Sequence, residues 1–213
     1  MEITWYGHSC FLLKDSNGRK LLTDPFDPSV GYSMPNETVD IVTVSHQHFD
    51  HNYTKSLPGI PNIIDKPGNY VVNDLTIKGI PSFHDKYNGA KRGDNIIFII
   101  KMDGLSICHL GDLGHELTEE AANQIGVIDV LLIPVGGNYT IDGEEAEQIA
   151  KKLNSHIVIP MHYGTNSLSF MLDGADKFIV KMGNSEKIDS CSLNLTKISN
   201  TFNSVKILDY KSK

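Results

Sequence analysis

Short apolar, β-branched runs punctuate this chain, and four of them deliver a histidine or an aspartate within four residues of their ends. Val39 to Val44 runs into His46, Leu75 to Ile80 into His84, Leu105 to Leu110 into Asp112, and His156 to Pro160 into His162. Runs of this length and composition read as buried strands. Polar groups of one chemical kind at the same end of several strands have to meet at one edge of a sheet, where open sheets place their ligand sites. Further strands are expected at Lys20 to Thr23, Asn95 to Lys101, Val127 to Val135, Cys191 to Ile198 and Val205 to Leu208. Asn73-Asp74, Asp103-Gly104 and Asn17-Gly18 mark tight hairpin turns, so part of the sheet is antiparallel.

Helices belong to the second half. Asp142 with Glu145 three residues on predicts a capped helix whose last turn holds Lys151-Lys152 before Asn154. Thr118 to Gln124, stopping near Gly126, and Asp173 to Met182, stopping at Gly183, read as shorter helices. The class is therefore α/β or α+β. No internal repeat or Pro/Ser linker divides residues 1–213, which are expected to form a single domain.

The chemistry is concentrated in His46-Gln47-His48-Phe49-Asp50-His51, an H-x-H-x-D-H stretch holding three of the nine histidines. Alternate residues of a strand share a face, so His46 and His48 converge, whereas adjacent Asp50 and His51 diverge unless the chain turns after His48. A turn lets one pair serve one cation and the next pair another, as in two-metal sites with ions about 3.5 to 4 Å apart. Downstream His84, Asp112 and His162 supply further ligands. All are nitrogen or oxygen donors, which suits zinc as the first expectation, with manganese or iron also compatible.

These residues, together with Tyr6-Gly7-His8-Ser9, Thr23-Asp24-Pro25, Ile133-Pro134-Val135-Gly136-Gly137 and Pro160-Met161-His162-Tyr163-Gly164-Thr165, resemble the metallo-β-lactamase superfamily of binuclear metal hydrolases. Within it they look most like the branch of ascorbate-6-phosphate lactonase-like and uncharacterised zinc-dependent hydrolases. The resemblance implies a four-layer αβ/βα sandwich: two mixed β-sheets face to face, helices outside, metals at one edge. It implies that His46, His48 and His84 hold a first divalent metal ion, that Asp50, His51 and His162 hold a second, and that Asp112 bridges both. His115 is the nearest substitute for His84. Asp24 would orient a ligand from behind by a hydrogen bond. The implied reaction is attack of a metal-bridging hydroxide on a small ester-like substrate such as a lactone, phosphorylated or not, with Asp50 and Asp112 as the catalytic carboxylates. A phosphodiesterase or nuclease on the same site, or a noncatalytic binding protein, are the rival readings.

Other candidates are weaker. His8 and Tyr163 could contact substrate or serve only the local structure, and His109 and His156 are expected to be structural. Lys86, Lys91 and Arg92 follow His84 in a Gly-rich loop that could receive a phosphate or carboxylate or be simply solvated, and Asn138-Tyr139-Thr140 is a candidate substrate loop. A net charge of −7 disfavours nucleic acid and anionic membranes as partners, leaving a small-molecule substrate, with a homo-oligomer left open. Cys10, Cys108 and Cys191 form no C-x-x-C pair, and the first residues lack the pattern of a signal peptide, so a cytoplasmic location is expected.

Overall fold

In the computed structural model, which describes residues 1–196 and 198–212, fourteen strands form two mixed sheets. The first sheet uses β1 (Glu2–Gly7), β2 (Cys10–Lys14), β3 (Lys20–Thr23), β4 (Ile41–Thr43), β5 (Asn62–Ile64) and, further along the chain, β13 (Ser192–Asn194), in the order β13-β1-β2-β3-β4-β5. The second uses β6 (Gly68–Val72), β7 (Leu75–Phe83), β8 (Asp94–Met102), β9 (Leu105–His109), β10 (Val130–Pro134), β11 (Ile157–Met161), β12 (Ser185–Ile188) and β14 (Ser204–Leu208), in the order β12-β14-β11-β10-β9-β8-β7-β6. Hairpins make the β6-β7-β8-β9 half antiparallel. Crossovers through helices make the β9-β10-β11-β14 part parallel, as parallel pairing requires. The hairpin turns are those predicted: Asn73 and Asp74, and Asp103 and Gly104, all adopt positive φ, which matches the twist of the flanking strands.

The sheets close face to face on one apolar layer. Trp5, Phe11, Leu13, Leu21 and Ile41 of the first meet Ile77, Phe98, Ile100, Leu132 and Ile159 of the second, all but fully buried. On the outer side of the second sheet, Ile97, Ile99, Leu131, Ile133 and Val158 pack against α1 (Glu119–Ile125), α2 (Gly143–Leu153) and α3 (Asp176–Met182). Both faces of β8 and β10 are thus covered, which is why these strands read as continuous rather than alternating apolar runs. The outer side of the first sheet, with Tyr6, Leu12, Leu22 and Val42, is covered by Phe26, Val30, Tyr32 and Leu57 from loops and short 3-10 turns.

Helix α2 forms as its sequence predicts, with Asp142 accepting from the backbone of Glu144 and Glu145 while Glu145 reaches back to Asp142, and Asn154 closing the helix in the left-handed conformation. Three expectations shift. Strand β7 runs through Pro81 to Phe83 instead of stopping at Ile80. Beyond Gly79 its only strand partner among the described residues is β8, so the missing proline N–H falls on the side without a paired strand and costs the sheet nothing. The strand expected over Cys191 to Ile198 contracts to Ser192–Asn194, with Lys197 outside the described residues. Strand β4 ends at Thr43, so the chain has left the sheet before His46. The pairing of His46 with His48, ring centroids 4.5 Å apart, is therefore a loop geometry and not the strand alternation expected.

Candidate metal centre

The site lies where β1, β3, β4, β7, β9 and β11 end. Three of those exits use residues that rarely adopt positive φ: His8 after β1, Asp24 after β3 and His162 after β11, at φ 52°, 38° and 51°. Such conformations cost of order 1 kcal/mol or more each and persist only where the surroundings impose them. Here the backbone of His162 donates to the carbonyl of His8 at 3.1 Å, tying β1 to β11 across the two sheets.

Asp24 organises the histidine loop. Its side chain has no exposure, and it accepts from the Ser45 backbone at 2.8 Å, from the Ser45 hydroxyl at 2.5 Å and from His51 Nδ1 at 2.9 Å. Because the Ser45 hydroxyl spends its proton on Asp24, its oxygen must act as acceptor toward His46 Nδ1, 3.0 Å away. One carboxylate thereby sets two tautomers. Both imidazoles carry a proton on Nδ1 and turn Nε2 to the interior of the site.

Those nitrogens converge on Asp112. Its Oδ2 lies 3.9 Å from His46 Nε2, 3.3 Å from His51 Nε2, 3.2 Å from His84 Nε2 and 3.0 Å from His162 Nε2. Asp112 is itself held by Asn95, whose Oδ1 accepts from the Asp112 backbone at 2.9 Å while its amide donates to Ser82 and to the Leu110 carbonyl. Gly111 makes this turn possible: it has φ 56°, and a Cβ there would sit 2.4 Å from Asn95 Oδ1 and 2.6 Å from Ser45 Cβ. Gly114 plays the matching part for His84, whose backbone carbon would lie 2.3 Å from an added Cβ.

Ligand-type atoms group in three overlapping sets: His46, His48 and His84; His46, His51 and Asp112; and Asp50, His51 and His162 with His8. The first set unites the residues expected around one metal, and the third those expected around the other. The structure puts His84, not His115, beside His46 and His48. His115 instead accepts from the Phe83 backbone at 3.2 Å and donates to the Glu116 carbonyl.

Within this site His46 Nε2, His51 Nε2 and Asp112 Oδ1 are buried without a hydrogen-bond partner. Buried polar atoms that converge without a hydrogen-bond partner are costly unless a cation lies between them. The donor set and its orphaned atoms therefore fit divalent metal ions.

The electrostatics agree. Burial pushes His46 down to about 2 and His8 down to about 4, keeping both neutral at pH 7. For Asp112 burial alone would favour protonation, but His162 and His51 hold it well below the ordinary carboxylate range. His51 shows the opposite balance, since Asp112, Asp24 and Asp50 outweigh burial and raise it well above the usual imidazole value.

His8 has a role its sequence position did not reveal. It is fully buried, and its Nε2 lies 3.1 Å from Asp50 Oδ2. A carboxylate only accepts, so the proton is on His8 Nε2, and His8 positions Asp50. Tyr163 does not reach the cleft over the metals; it packs on Trp5 with ring centroids 5.3 Å apart. His109 is structural, donating to the Ser9 carbonyl and accepting from the Gly111 backbone, and His156 stacks on Phe202. Above the site opens a cleft of about 550 Å³, walled by Phe49, Arg92, Tyr139 and Phe170 besides metal-site residues.

Comparison with known proteins points the same way. A family model described as a β-lactamase superfamily domain matches residues 2–162. A metal-dependent hydrolase of the UPF0173 group from Methanoculleus marisnigri is 33% identical over 194 residues, covering 78% of this chain and 82% of its own length. A relative of the same description from Thermoplasma acidophilum is 32% identical over 195 residues, 79% of this chain and 85% of its own. Among solved structures, a Thermotoga maritima protein provisionally described as a zinc-dependent hydrolase of the metallo-β-lactamase superfamily superposes with a TM-score of 0.83 at 42% identity, covering 99% of both chains.

The pair of fixed tautomers yields a first expected outcome. In Asp24→Asn the amide can still accept from Ser45 but presents N–H to His51, which forces the His51 proton onto Nε2. Chelator competition should show metal affinity reduced about 10- to 100-fold; unchanged affinity would contradict this role for Asp24.

The burial of neutral imidazoles yields a second. A histidine with its folded pKa below the unfolded value of about 6.5 contributes stability above that pH, and loses it as pH falls toward the folded value. His8, His46, His48 and His109 all shift down chiefly by burial. His51, shifted up, stabilises below about 6.5 and opposes them, while Asp24 and Asp112, shifted below 3.8, stay ionised throughout this window. The melting temperature of chelated protein should therefore fall between about pH 7.5 and pH 5. A constant or rising value would contradict the four-against-one balance.

Proposed function

The chain belongs to the metallo-β-lactamase superfamily and is a metal-dependent hydrolase, and from that premise we propose that it is a binuclear enzyme cleaving a small ester-like substrate of the lactone type. The observation that carries this reading is the convergence of four imidazole Nε2 atoms within 3.9 Å of one carboxylate oxygen of Asp112, flanked by His48 on one side and Asp50 on the other.

His46, His48 and His84 would hold one divalent ion, Asp50, His51 and His162 the second, with Asp112 shared. Zinc is the first candidate for such a donor set, and manganese or iron also suit it. Bound ions of this kind supply Lewis acidity, which brings the pKa of a coordinated water from about 15.7 to near 7 and polarises a substrate carbonyl.

The protein's own groups do the rest. Asp50 is held by the His8 N–H and kept ionised: burial would raise its pKa, but the His8 hydrogen bond and the charge of His51 pull it strongly down. It faces the cleft, so it can accept a proton from an incoming water at one carboxylate oxygen while His8 fixes the other. Phe49, Tyr139 and Phe170 shield the reacting group from bulk water and offer an apolar surface to the substrate body. In the net reaction water divides across the acyl C–O bond, hydroxyl to the acid and hydrogen to the alcohol. The site needs no serine or cysteine nucleophile, and buried Cys10 and Cys108 stay protonated because burial raises their pKa. A cytoplasmic location and a small-molecule partner complete this reading; among the described residues no helix is long and apolar enough to cross a membrane.

Metal-loaded protein should hydrolyse at least one class in a panel of lactones, aryl esters, thioesters, phosphodiesters and β-lactams, with lactones or esters fastest. Asp50→Asn, at saturating metal, should lower kcat by at least about 100-fold. Wild-type turnover in that variant removes Asp50 from the mechanism, and preferential cleavage of phosphodiesters replaces the ester reading.

A further inference from the structure

Arg92 stands out among the walls of the cleft. Apart from residues of the metal site, the lining is amide or aromatic, in Gln47, Phe49, Tyr139 and Phe170, and Arg92 is the one permanent cation among the lining residues. It also borders the adjoining cavity of about 480 Å³ on the other side of His46 and His48.

Its placement is built from behind. Asp85, directly after His84, accepts from four backbone N–H groups of its own loop: Tyr87 at 2.7 Å, Gly89 at 3.1 Å, Lys91 at 2.9 Å and Arg92 at 2.7 Å. The loop is closed at its base by His84 donating to Gly93 and Gly93 to Gly89. The same short segment thus sets both a residue of the metal cluster and the backbone of Arg92. The guanidinium lies over the Tyr139 ring, 4.5 Å from its centroid, and Tyr139 in turn meets Phe170 edge to face at 6.2 Å. With its Cζ held over the ring, the guanidinium keeps its N–H donors for a ligand, and a planar fork of this kind binds a carboxylate through two parallel hydrogen bonds.

Among the described residues no carboxylate pairs with this guanidinium and none of its N–H groups finds an acceptor, in a protein whose net charge is −7. Of the two other loop cations, Lys86 pairs with Glu145, and Lys91, over the Tyr87 ring at 3.9 Å from its centroid, does not line the cleft. A half-buried cation left without an anion, at the wall of a reaction cleft, is explained by an anion the substrate brings.

We infer that Arg92 is the substrate's anion anchor, and that the hydrolysed compound bears a carboxylate on an apolar or aromatic body, placed so that its ester group reaches the metal centre. This inference rests on the hydrolase reading above and narrows its substrate class. A carboxylate is favoured over a phosphate monoester because a single guanidinium matches one negative charge and two oxygens, and neither Lys86 nor Lys91 lines the cleft to balance a second charge.

The test uses three matched aryl acetates: para-acetoxybenzoate, its neutral analogue para-acetoxybenzamide, and para-acetoxyphenyl phosphate. With metal-loaded protein the benzoate should exceed the benzamide in kcat/KM by about tenfold or more, mostly through a lower KM, as for a hydrogen-bonded charge pair. Arg92→Gln should bring that ratio close to one, whereas Lys91→Gln should keep it. A ratio near one in the wild type, an unchanged ratio in Arg92→Gln, or preference for the phosphate overturns the inference.

Direct binding separates this inference from the hydrolase reading. In chelated protein, ligand-observed NMR should detect para-hydroxybenzoate binding to wild type and to Lys91→Gln, and none to Arg92→Gln of unchanged melting temperature. If none of the three acetates is turned over, the ester reading fails while Arg92-dependent binding still supports the anchor. Binding that is absent, or indifferent to Arg92, overturns the anchor whatever the turnover.

Discussion

A single buried carboxylate holds this site together. Asp24 takes protons from Ser45 twice and from His51 once, and through Ser45 it also dictates which nitrogen of His46 is bare. Placing an ionised group at zero exposure is costly unless every lone pair is used. Here the cost is offset by three donors, and the result is a loop without regular secondary structure whose His46 and His51 rings hold Nδ1 protonated and turn Nε2 inward. Asp24 reaches this place where the chain leaves β3 at φ 38°, with its backbone N–H donating to the carbonyl of Thr43 at the end of the parallel neighbour β4. The link from sheet register to metal-site chemistry therefore runs through one residue.

The two sheets have separate tasks around that centre. The first carries His8, Asp24 and the histidine loop; the second carries His84, Asp112 and His162. Neither half holds a full ligand set, so the site exists only when the layer of Trp5, Phe11, Phe98, Leu132 and Ile159 has closed. The halves meet at the site itself through the hydrogen bond from His162 to the His8 carbonyl, the Ile96 N–H to the Ser45 carbonyl, His109 to the Ser9 carbonyl, and the close approach of Gly111 to Ser45. Stability of the fold and assembly of the site are in that sense one event.

Much of this was legible in the chain. Apolar runs ending in His46, His84, Asp112 and His162 announced both the strands and the edge where they meet, because strand direction is encoded locally. Hairpin turns at Asn73-Asp74 and Asp103-Gly104 and the Asp142 capping box were readable for the same reason, each resting on residues no more than a few positions apart. What escaped depends on contacts distant in sequence. His8 meets Asp50 across 42 positions, and Tyr163 turns onto Trp5 instead of the cleft. Arg92 was visible only as one of three loop cations; that it alone of the three lines the cleft, over the Tyr139 ring, comes from contacts distant in sequence.

We propose this cluster as a shared site for two divalent ions bridged by Asp112. Anomalous diffraction from crystals soaked in zinc, recorded above and below the zinc edge, tests it most directly. Two peaks are expected within about 4 Å of each other, one against His46, His48 and His84 and the other against Asp50, His51 and His162, with Asp112 in contact with both. A single peak at full zinc occupancy, or a second peak held by His115 or by His8 in place of His162, would contradict it.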